Sequence, residues 1–124
     1  MTRHYKDLIV WRKAMDLVFS GYDCTQGLQH EVYSLTDQMR RAAVSVPSNI
    51  AEGQAHFSNR EFLHFLRHSS GSLAELETQL LVAERVGYFA ERKSSELLRS
   101  IQDVGRLRHG LMNSLNVRTS APFH

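Results

Sequence analysis

The chain has 124 residues and a mass of 14.2 kDa, which is the size of one domain rather than two. Its 42% hydrophobic and 23% charged residues are typical of a globular protein, which excludes a disordered or membrane-embedded chain. Fifteen Lys and Arg against thirteen Asp and Glu leave a net charge of +2, too small to indicate a nucleic-acid partner by itself.

The cellular environment is indicated by the single cysteine and by the absence of long apolar runs. With Cys24 alone, the chain has no internal disulfide and no all-cysteine zinc site, so we expect a reducing, cytoplasmic environment. No apolar run approaches the ~20 residues that a membrane span requires. Charged residues interrupt the N-terminal segment where a signal peptide would be apolar. We therefore expect no membrane association.

The first predicted helix spans about residues 7–26. Asp7 is its expected N-cap, because the carboxylate can accept the free amide hydrogens of the first turn. Gly27 is expected to stop the helix. The apolar residues that recur every three or four positions, as on one helix face, are Leu8, Trp11, Met15, Val18 and Tyr22, and the stripe is widened by Val10, Ala14 and Leu17.

The second predicted helix spans about residues 33–55 and contains Pro47. Proline has no amide hydrogen and crowds the carbonyl four residues before it, so we expect either one long kinked helix or a restart at Pro47. Gly53 and the polar residues after it are expected to end this element. Its apolar stripe consists of Leu35, Met39, Ala42, Ala43, Val46 and Ile50.

The third predicted helix spans about residues 58–86 and carries the longest apolar stripe of the chain. Ser58 and Glu61 have the spacing of a capping box, in which the hydroxyl accepts the amide hydrogen of Glu61. Gly87 is expected to close the helix in a left-handed conformation, because glycine lacks the side chain that disfavours it.

The fourth predicted helix spans about residues 91–116, although Gly105 and Gly110 each destabilise it by ~1 kcal/mol relative to alanine. Residues 117–124 show no periodicity and are expected to form a flexible tail. The β-branched cluster at 44–46 lies inside a helical stripe, so we expect no strand. Short connections between successive amphipathic helices favour antiparallel neighbours, and the sequence predicts an all-α, up-down-up-down four-helix bundle.

Seven histidines raise the question of a metal site. His64 and His68 are four residues apart, which places both imidazoles on one helix face, but a zinc-protease motif would have glutamate where Phe65 stands. His56 and Glu75 are the nearest candidates for a third ligand, and no pattern fixes either of them. We therefore interpret the pair as part of a solvated helix face and expect no metal and no cofactor.

Catalytic chemistry has no motif in this sequence. There is no glycine-rich phosphate loop, no nucleophile elbow and no spaced pair of acidic motifs. Cys24 lacks the surroundings of a catalytic cysteine and is expected to be a small, partly buried residue near the end of the first helix. We expect no catalytic residue and predict that the protein is not an enzyme.

The segment 40–53 combines two arginines, an apolar stripe and polar residues after a proline. If the second and third helices are antiparallel, Arg41 falls opposite Ser72 and within a turn of Glu75, which favours an Arg41–Glu75 link over a ligand site. Ser48 and Asn49 are placed to satisfy carbonyls freed by the proline. The residues to which we assign a structural role are Arg41, Pro47, Ser48, Asn49, Glu52, Gly53 and Glu75.

The fourth helix carries a local excess of positive charge. From Arg99 onward there are four arginines and one acidic residue, Asp103. Such a face can follow a phosphate backbone, although an ordinary solvated face has the same composition. Our candidates for phosphate contact are Arg92, Lys93, Arg99 and Arg106, with Arg40 as a further one.

The eleven aromatic residues are too many for the slim core of four helices to bury. Several of them, including Trp11, Phe57 and Tyr88, lie near predicted helix ends. We therefore expect apolar surface to remain exposed and to be covered by further copies of the chain, which predicts a homo-oligomer.

Four blocks of sequence are similar to one known family. They are Tyr5-Lys-Asp-Leu8 with Val10-Trp11 and Ala14-Met15, the ungapped Arg40–Gly53 block preceded by Gln38, Glu61-Phe62 with Phe65-Leu66, and Gly71–Gln79. Together they cover residues 5 to about 116. The chain resembles the four-helix-bundle proteins encoded in intervening sequences of bacterial 23S ribosomal RNA genes.

This resemblance implies an antiparallel four-helix bundle that assembles into a ring, with five subunits in known relatives. Accessory proteins of diversity-generating retroelements are similar to this family and bind nucleic acid and a reverse transcriptase through a basic surface. We therefore hypothesise a non-enzymatic homo-oligomer, a pentamer, that binds RNA or DNA weakly or serves as an RNA-linked scaffold. The alternative is a protein–protein interaction module, with an unidentified protein partner and no nucleic acid.

Overall fold

The computed structural model describes residues 4–27, 33–56 and 58–120. A 3-10 turn at Tyr5–Asp7 precedes four α-helices, and no strand occurs in these three ranges. The helices are α1 (Ile9–Thr25), α2 (Tyr33–Ala55), α3 (Asn59–Val86) and α4 (Glu91–Ser120). The predicted all-α, four-helix fold is confirmed.

Each helix packs against two neighbours, as at the corners of a square. Within the described ranges, α1 and α3 each contact α2 and α4 but do not contact each other. Lys93 at the start of α4 reaches Asp23 at the end of α1, with Nζ 3.7 Å from Oδ1. Ser45 of α2 meets Ser72 of α3 with 2.7 Å between their hydroxyl oxygens, midway along both helices. The contact between the start of α4 and the end of α1 gives these two helices opposite directions, as expected for an up-down-up-down bundle.

The core is aliphatic and runs along the centre of the square. Removing these side chains from water supplies the main driving force for folding, at roughly 25 cal/mol per Å² of apolar surface. The side chains with less than 2% exposure include Leu17, Met39, Val46, Ile50, Leu66, Leu76, Leu80, Leu97 and Val104.

The helix ends agree with the capping residues expected for α3 but not for the start of α1. Ser58 Oγ accepts the amide hydrogen of Glu61 at 3.1 Å, and Gly87 ends α3 with φ +85°. Gly27 also has a positive φ, +77°, two residues beyond the end of α1. The expected cap Asp7 is wrong, because this residue belongs to the preceding 3-10 turn and Leu8 occupies the N-cap position.

Helix α2 passes through Pro47 as one element, which agrees with the alternative of one long helix and not with a restart at Pro47. Gly53 does not end this helix but lies buried inside it. A Cβ atom there would lie 2.7 Å from Cβ of Phe65 and 3.0 Å from Cδ1 of Phe62, both on α3. Glycine is therefore required at this position by the close approach of two helices.

Helix α4 continues beyond its predicted end at residue 116, to Ser120. No glycine or proline occurs between Gly110 and Pro122, so nothing in that stretch interrupts the helical hydrogen bonds. The remaining part of the predicted tail, residues 121–124, lies outside the described residues, as does the aromatic Phe57. None of the helices in the described ranges is long and apolar enough to cross a membrane.

Candidate assembly and nucleic-acid surfaces

The predicted link between Arg41 and Glu75 is absent. Arg41 Nε donates to Asp37 Oδ2 at 2.9 Å on its own helix, and its side chain is 79% exposed. Glu75 Oε2 accepts a hydrogen bond from Gln79 Nε2 at 3.3 Å. Ser72 lies opposite Ser45, one helical turn beyond Arg41, and Arg41 lies about 100° around the helix from the buried Ala42 and so faces solvent.

A cluster of serines joins α2 and α3 at this level instead. Ser45 and Ser72 share a hydrogen bond of 2.7 Å, and Asn49 Nδ2 donates to the carbonyl oxygen and the hydroxyl of Ser45 at 2.8 and 2.9 Å. Ser69 Oγ donates to the carbonyl of Val46 at 3.2 Å. The carbonyl that Asn49 satisfies is that of Ser45. The carbonyl that loses its helical hydrogen bond is a different one, that of Ala43, because Pro47 has no amide hydrogen to donate.

The remaining polar positions of the 40–53 segment point outward. Ser48 and Glu52 are exposed, whereas Pro47 is buried. Ser48 lies on the wall of a surface groove rather than on a freed carbonyl. Within the segment, Ser45 and the carbonyl of Val46 join α2 to α3 by hydrogen bonds to Ser72 and Ser69, whereas Ser48 and Glu52 lie exposed.

An outward-facing apolar groove follows the seam between α1 and α2. It encloses about 290 Å³, and Ser48 is its single residue without an apolar or aromatic side chain. Trp11 packs edge-on against the ring of Tyr5, with 5.2 Å between the ring centroids. The α1–α2 groove is lined by Tyr5, Trp11, Met15, Val18, Val44, Pro47, Ser48 and Ala51.

This groove corrects the interpretation of the first apolar stripe. The stripe predicted along α1 divides into two: Ala14 and Leu17 are fully buried, whereas Trp11 and Met15 are half-buried in the groove wall. Phe19 extends the outward stripe at 64% exposure. The spacing of four, three and four residues from Trp11 through Met15 and Val18 to Tyr22 is the signal that distinguishes this second stripe.

A second apolar surface lies on the outer face of α3 near its C-terminal end. Leu81, Val82 and Val86 are 47%, 50% and 56% exposed, and Tyr88 follows them in the next turn. A shallow cavity of about 520 Å³ opens beside Leu81 and Val82. We call Leu81, Val82, Val86 and Tyr88 the α3 patch. The α3 patch and the α1–α2 groove share no residue and no helix, so they are separate surfaces.

The five predicted phosphate contacts divide into two groups. Arg92 and Arg99 are exposed, seven residues apart on one face of α4, and form no ion pair within the described part of the chain. Arg106 continues that face, but Asp103 holds its guanidinium at 2.5 Å. Lys93 is half-buried against Asp23, donating to the Asp23 carbonyl at 3.4 Å as well as pairing with its carboxylate.

Arg40 lies apart from the other four, beside the C-terminal end of α1. Its Nε donates to Thr25 Oγ1 at 2.8 Å, and its guanidinium carbon lies 4.4 Å from the ring centroid of Tyr22. A cation above an aromatic ring and bound to a hydroxyl is held in place by its own chain. Arg40 therefore joins α1 to α2, and the structure does not bring it to the α4 face.

One arginine lies partly buried without a carboxylate. Burial lowers the pKa of Arg108, whose Nε has no hydrogen-bond partner in the described part of the chain. Its Nη1 donates only to the thioether sulfur of Met112, at 2.7 Å. A thioether is a weak acceptor, so this cation stabilises the bundle less than an aliphatic residue of similar size would.

The groups that could perform chemistry are few. Cys24 is buried, and burial raises the pKa of its thiol to about 11, which keeps it protonated and unreactive at neutral pH. His64 and His68 lie side by side on α3, with 3.2 Å between their Nε2 atoms. No group of three or more His, Cys, Asp or Glu residues that could hold a metal ion occurs in the described ranges.

Comparison with known proteins gives a family and a fold. The family model described as 23S rRNA-intervening sequence protein matches residues 6–110. Among solved structures, a similar one is the crystal structure of a protein with unknown function from the S23 ribosomal protein family of Bacteroides thetaiotaomicron, with a TM-score of 0.78 and 17% sequence identity. The match covers 84% of this chain and 98% of that chain. No match was found among curated proteins. Neither description names an enzymatic activity.

Proposed function

We propose that this chain, which belongs to the 23S rRNA-intervening sequence protein family, is a non-enzymatic cytoplasmic scaffold. Copies of it assemble into a homo-oligomeric ring of five subunits, and the ring binds nucleic acid weakly through α4. The observation that carries the proposal is the pair of separate apolar surfaces, the α1–α2 groove and the α3 patch.

Two different apolar surfaces on one chain favour a ring over a two-fold dimer. A two-fold interface brings the same patch of both subunits together, whereas a head-to-tail contact uses two unlike patches and generates a closed ring or an open filament. The α1–α2 groove and the α3 patch consist of different residues on different helices. Contact between the α3 patch of one copy and the α1–α2 groove of the next is the head-to-tail arrangement, and the family resemblance favours closure at five subunits.

The exposed arginines of α4 support weak nucleic-acid binding. Arg92 and Arg99 are free of ion pairs in the described part of the chain, so each can neutralise one phosphate without first breaking an internal contact. Two such residues on a single chain give little affinity. A ring repeats them in every subunit at high effective concentration, which increases the overall affinity without any new kind of contact.

A protein–protein interaction module is the second candidate. Three of the five predicted phosphate contacts, Lys93, Arg106 and Arg40, already bind side chains of their own chain. Each of them would have to give up that contact to bind a phosphate, and this favours the second candidate. In that case the ring presents a surface to an unidentified protein partner, and the α4 arginines serve only solubility.

Binding of duplex and structured RNA at two salt concentrations tests the nucleic-acid part of the proposal. If about four phosphates are neutralised across a ring, the association constant falls roughly a hundredfold between 50 and 200 mM salt. Exchange of Arg92 and Arg99 for glutamate should abolish retention of RNA while the mass of the assembly is unchanged. Arg41→Glu is the matched control, since Arg41 is also exposed but lies on α2, which does not contact α4 in the described ranges.

Two results would contradict nucleic-acid binding. One is the absence of binding at the lower salt concentration by a chain that is assembled, and the other is equal binding by the Arg92→Glu/Arg99→Glu variant. Either result leaves the interaction module as the function of the assembly. A single-chain mass in light scattering would contradict the ring itself.

A further inference from the structure

We infer that His64 and His68 form a two-histidine site for a divalent transition-metal cation on the outer surface of α3. Both residues are exposed and lie one helical turn apart, in the N-terminal half of the helix. Spacing alone describes two solvated histidines. The structure adds convergence, because the Nε2 atoms of the two rings are 3.2 Å apart.

The separation of the two nitrogens fits a shared metal ion. Zinc–imidazole bonds are about 2.0–2.1 Å long, and two such bonds that end on nitrogens 3.2 Å apart enclose an angle of about 100–106° at the metal. This angle is close to the tetrahedral value. No rearrangement of the α3 backbone is therefore required for both rings to coordinate one ion.

The helix and one aromatic neighbour hold the two rings in this arrangement. The residues on the opposite side of this part of α3, Leu63 and Leu66, are buried in the core and fix the helix against rotation. The ring of His64 packs edge-on against Phe65, with centroids 5.4 Å apart and planes inclined by 79°. A site whose ligands are already oriented loses less conformational entropy when the ion binds.

The imidazole ligands determine which metals this site takes. Neutral imidazole suits Zn²⁺, Cu²⁺ and Ni²⁺, whereas Mg²⁺ and Ca²⁺ prefer oxygen ligands. No third His, Cys, Asp or Glu joins the pair within the described ranges, so the other coordination positions are filled by water. Such a site is open and exchangeable, and the expected order of affinity is Cu²⁺ above Ni²⁺ and Zn²⁺.

Metal binding replaces the contact that the two rings make in its absence. Between neutral imidazoles, a nitrogen separation of 3.2 Å corresponds to a hydrogen bond in which one Nε2–H donates to the other Nε2. For both Nε2 atoms to coordinate the ion, the donor ring transfers its proton from Nε2 to Nδ1 through solvent. This change of tautomer keeps the same number of protons on a neutral pair, and the charge of the site rises by that of the cation.

Calorimetric titration of the full chain with zinc chloride, and separately with nickel chloride, tests this site. The protein is purified without a histidine tag, in a buffer that does not chelate metals. We expect one saturable equivalent per chain, at least tenfold weaker binding for His64→Ala and for His68→Ala, and no change for His109→Ala. His109 is the matched control, because it is an exposed histidine on α4. Alanine favours helix, and circular dichroism verifies that each variant folds.

A spectroscopic measurement locates the ion independently of affinity. Paramagnetic Ni²⁺ or Cu²⁺ should broaden the nuclear magnetic resonance signals of the His64 and His68 rings before those of the other histidines. The inference is overturned if no saturable site is found at millimolar metal, or if the variant lacking both histidines binds as the unmodified chain does. It is also overturned if broadening begins at other residues.

Discussion

Gly53→Ala tests the close approach of the C-terminal end of α2 to the N-terminal part of α3. In a helix, alanine is more favourable than glycine by about 1 kcal/mol, so the substitution stabilises α2 considered alone. In this bundle the new methyl group would lie 2.7 Å from Cβ of Phe65, whereas carbon atoms pack best at about 3.5–4.0 Å. The two helices must therefore separate locally by roughly 1 Å.

The expected outcome is a net loss of stability. Cβ of Phe65 is fixed by its backbone and cannot rotate away, so the strain falls in the upper part of the usual range for overpacking, about 1–3 kcal/mol. After the gain in helix propensity is subtracted, the free energy of unfolding should fall by about 1–2 kcal/mol. Urea denaturation followed by circular dichroism measures it, at one protein concentration for all variants.

Gly71→Ala is the matched control. Gly71 is an exposed residue in the middle of α3, and a Cβ atom there would meet nothing within 4 Å. Alanine at this position should raise the free energy of unfolding by up to about 1 kcal/mol. If Gly53→Ala proved as stable as Gly71→Ala, the close packing of α2 on α3 would be refuted.

Two further substitutions probe one partly buried group and one buried group. Arg108→Met should raise the free energy of unfolding by up to about 1 kcal/mol in the same denaturation assay, because it removes an Nε–H donor that has no partner in the described part of the chain from a side chain that is only partly buried. A loss of stability would show that this cation is paired. Burial raises the pKa of the Cys24 thiol from 9.0 in the unfolded chain to about 11 in the folded chain. Between these two pH values the thiol ionises only in the unfolded chain, so the free energy of unfolding should fall as the pH rises from 9.0 to about 11. This part of the pH dependence should be missing in Cys24→Ala, and its persistence there would assign it to other groups.

The four helices can be predicted from the sequence because the residues that mark a helix and its ends are close neighbours along the chain. Ser58 with Glu61 and Gly87 mark the ends of α3 through hydrogen bonds and backbone angles that involve only neighbouring residues. Apolar periodicity defined the four helices for the same reason. Asp7 is the exception, since its suitability as a cap did not reveal that a 3-10 turn would place Leu8 at the N-cap.

The surfaces were less predictable because they depend on rotation between helices. Periodicity located Trp11 and Met15 on an apolar face but could not distinguish the buried seam of α1 from the groove wall beside it. The prediction for Arg41 is wrong by one turn along α2, since Ser45 meets Ser72, and wrong in direction, since Arg41 faces solvent. The sequence predicts a helix end at Gly53, whereas the structure shows that glycine is needed there because Phe65 of α3 packs against its α-carbon. Each of these three errors concerns a contact between helices, which the pattern of apolar residues along one helix does not specify.

The mass of the purified chain in solution tests self-assembly most directly. Size-exclusion chromatography with multi-angle light scattering at micromolar concentration should give one species of about 71 kDa, which is five chains of 14.2 kDa. Val82→Glu should shift that species to single chains of unchanged helicity, since it places a charge in the centre of the α3 patch. A unique mass of 14.2 kDa for the unmodified chain would contradict the assembly, and with it the function proposed for the α1–α2 groove and the α3 patch.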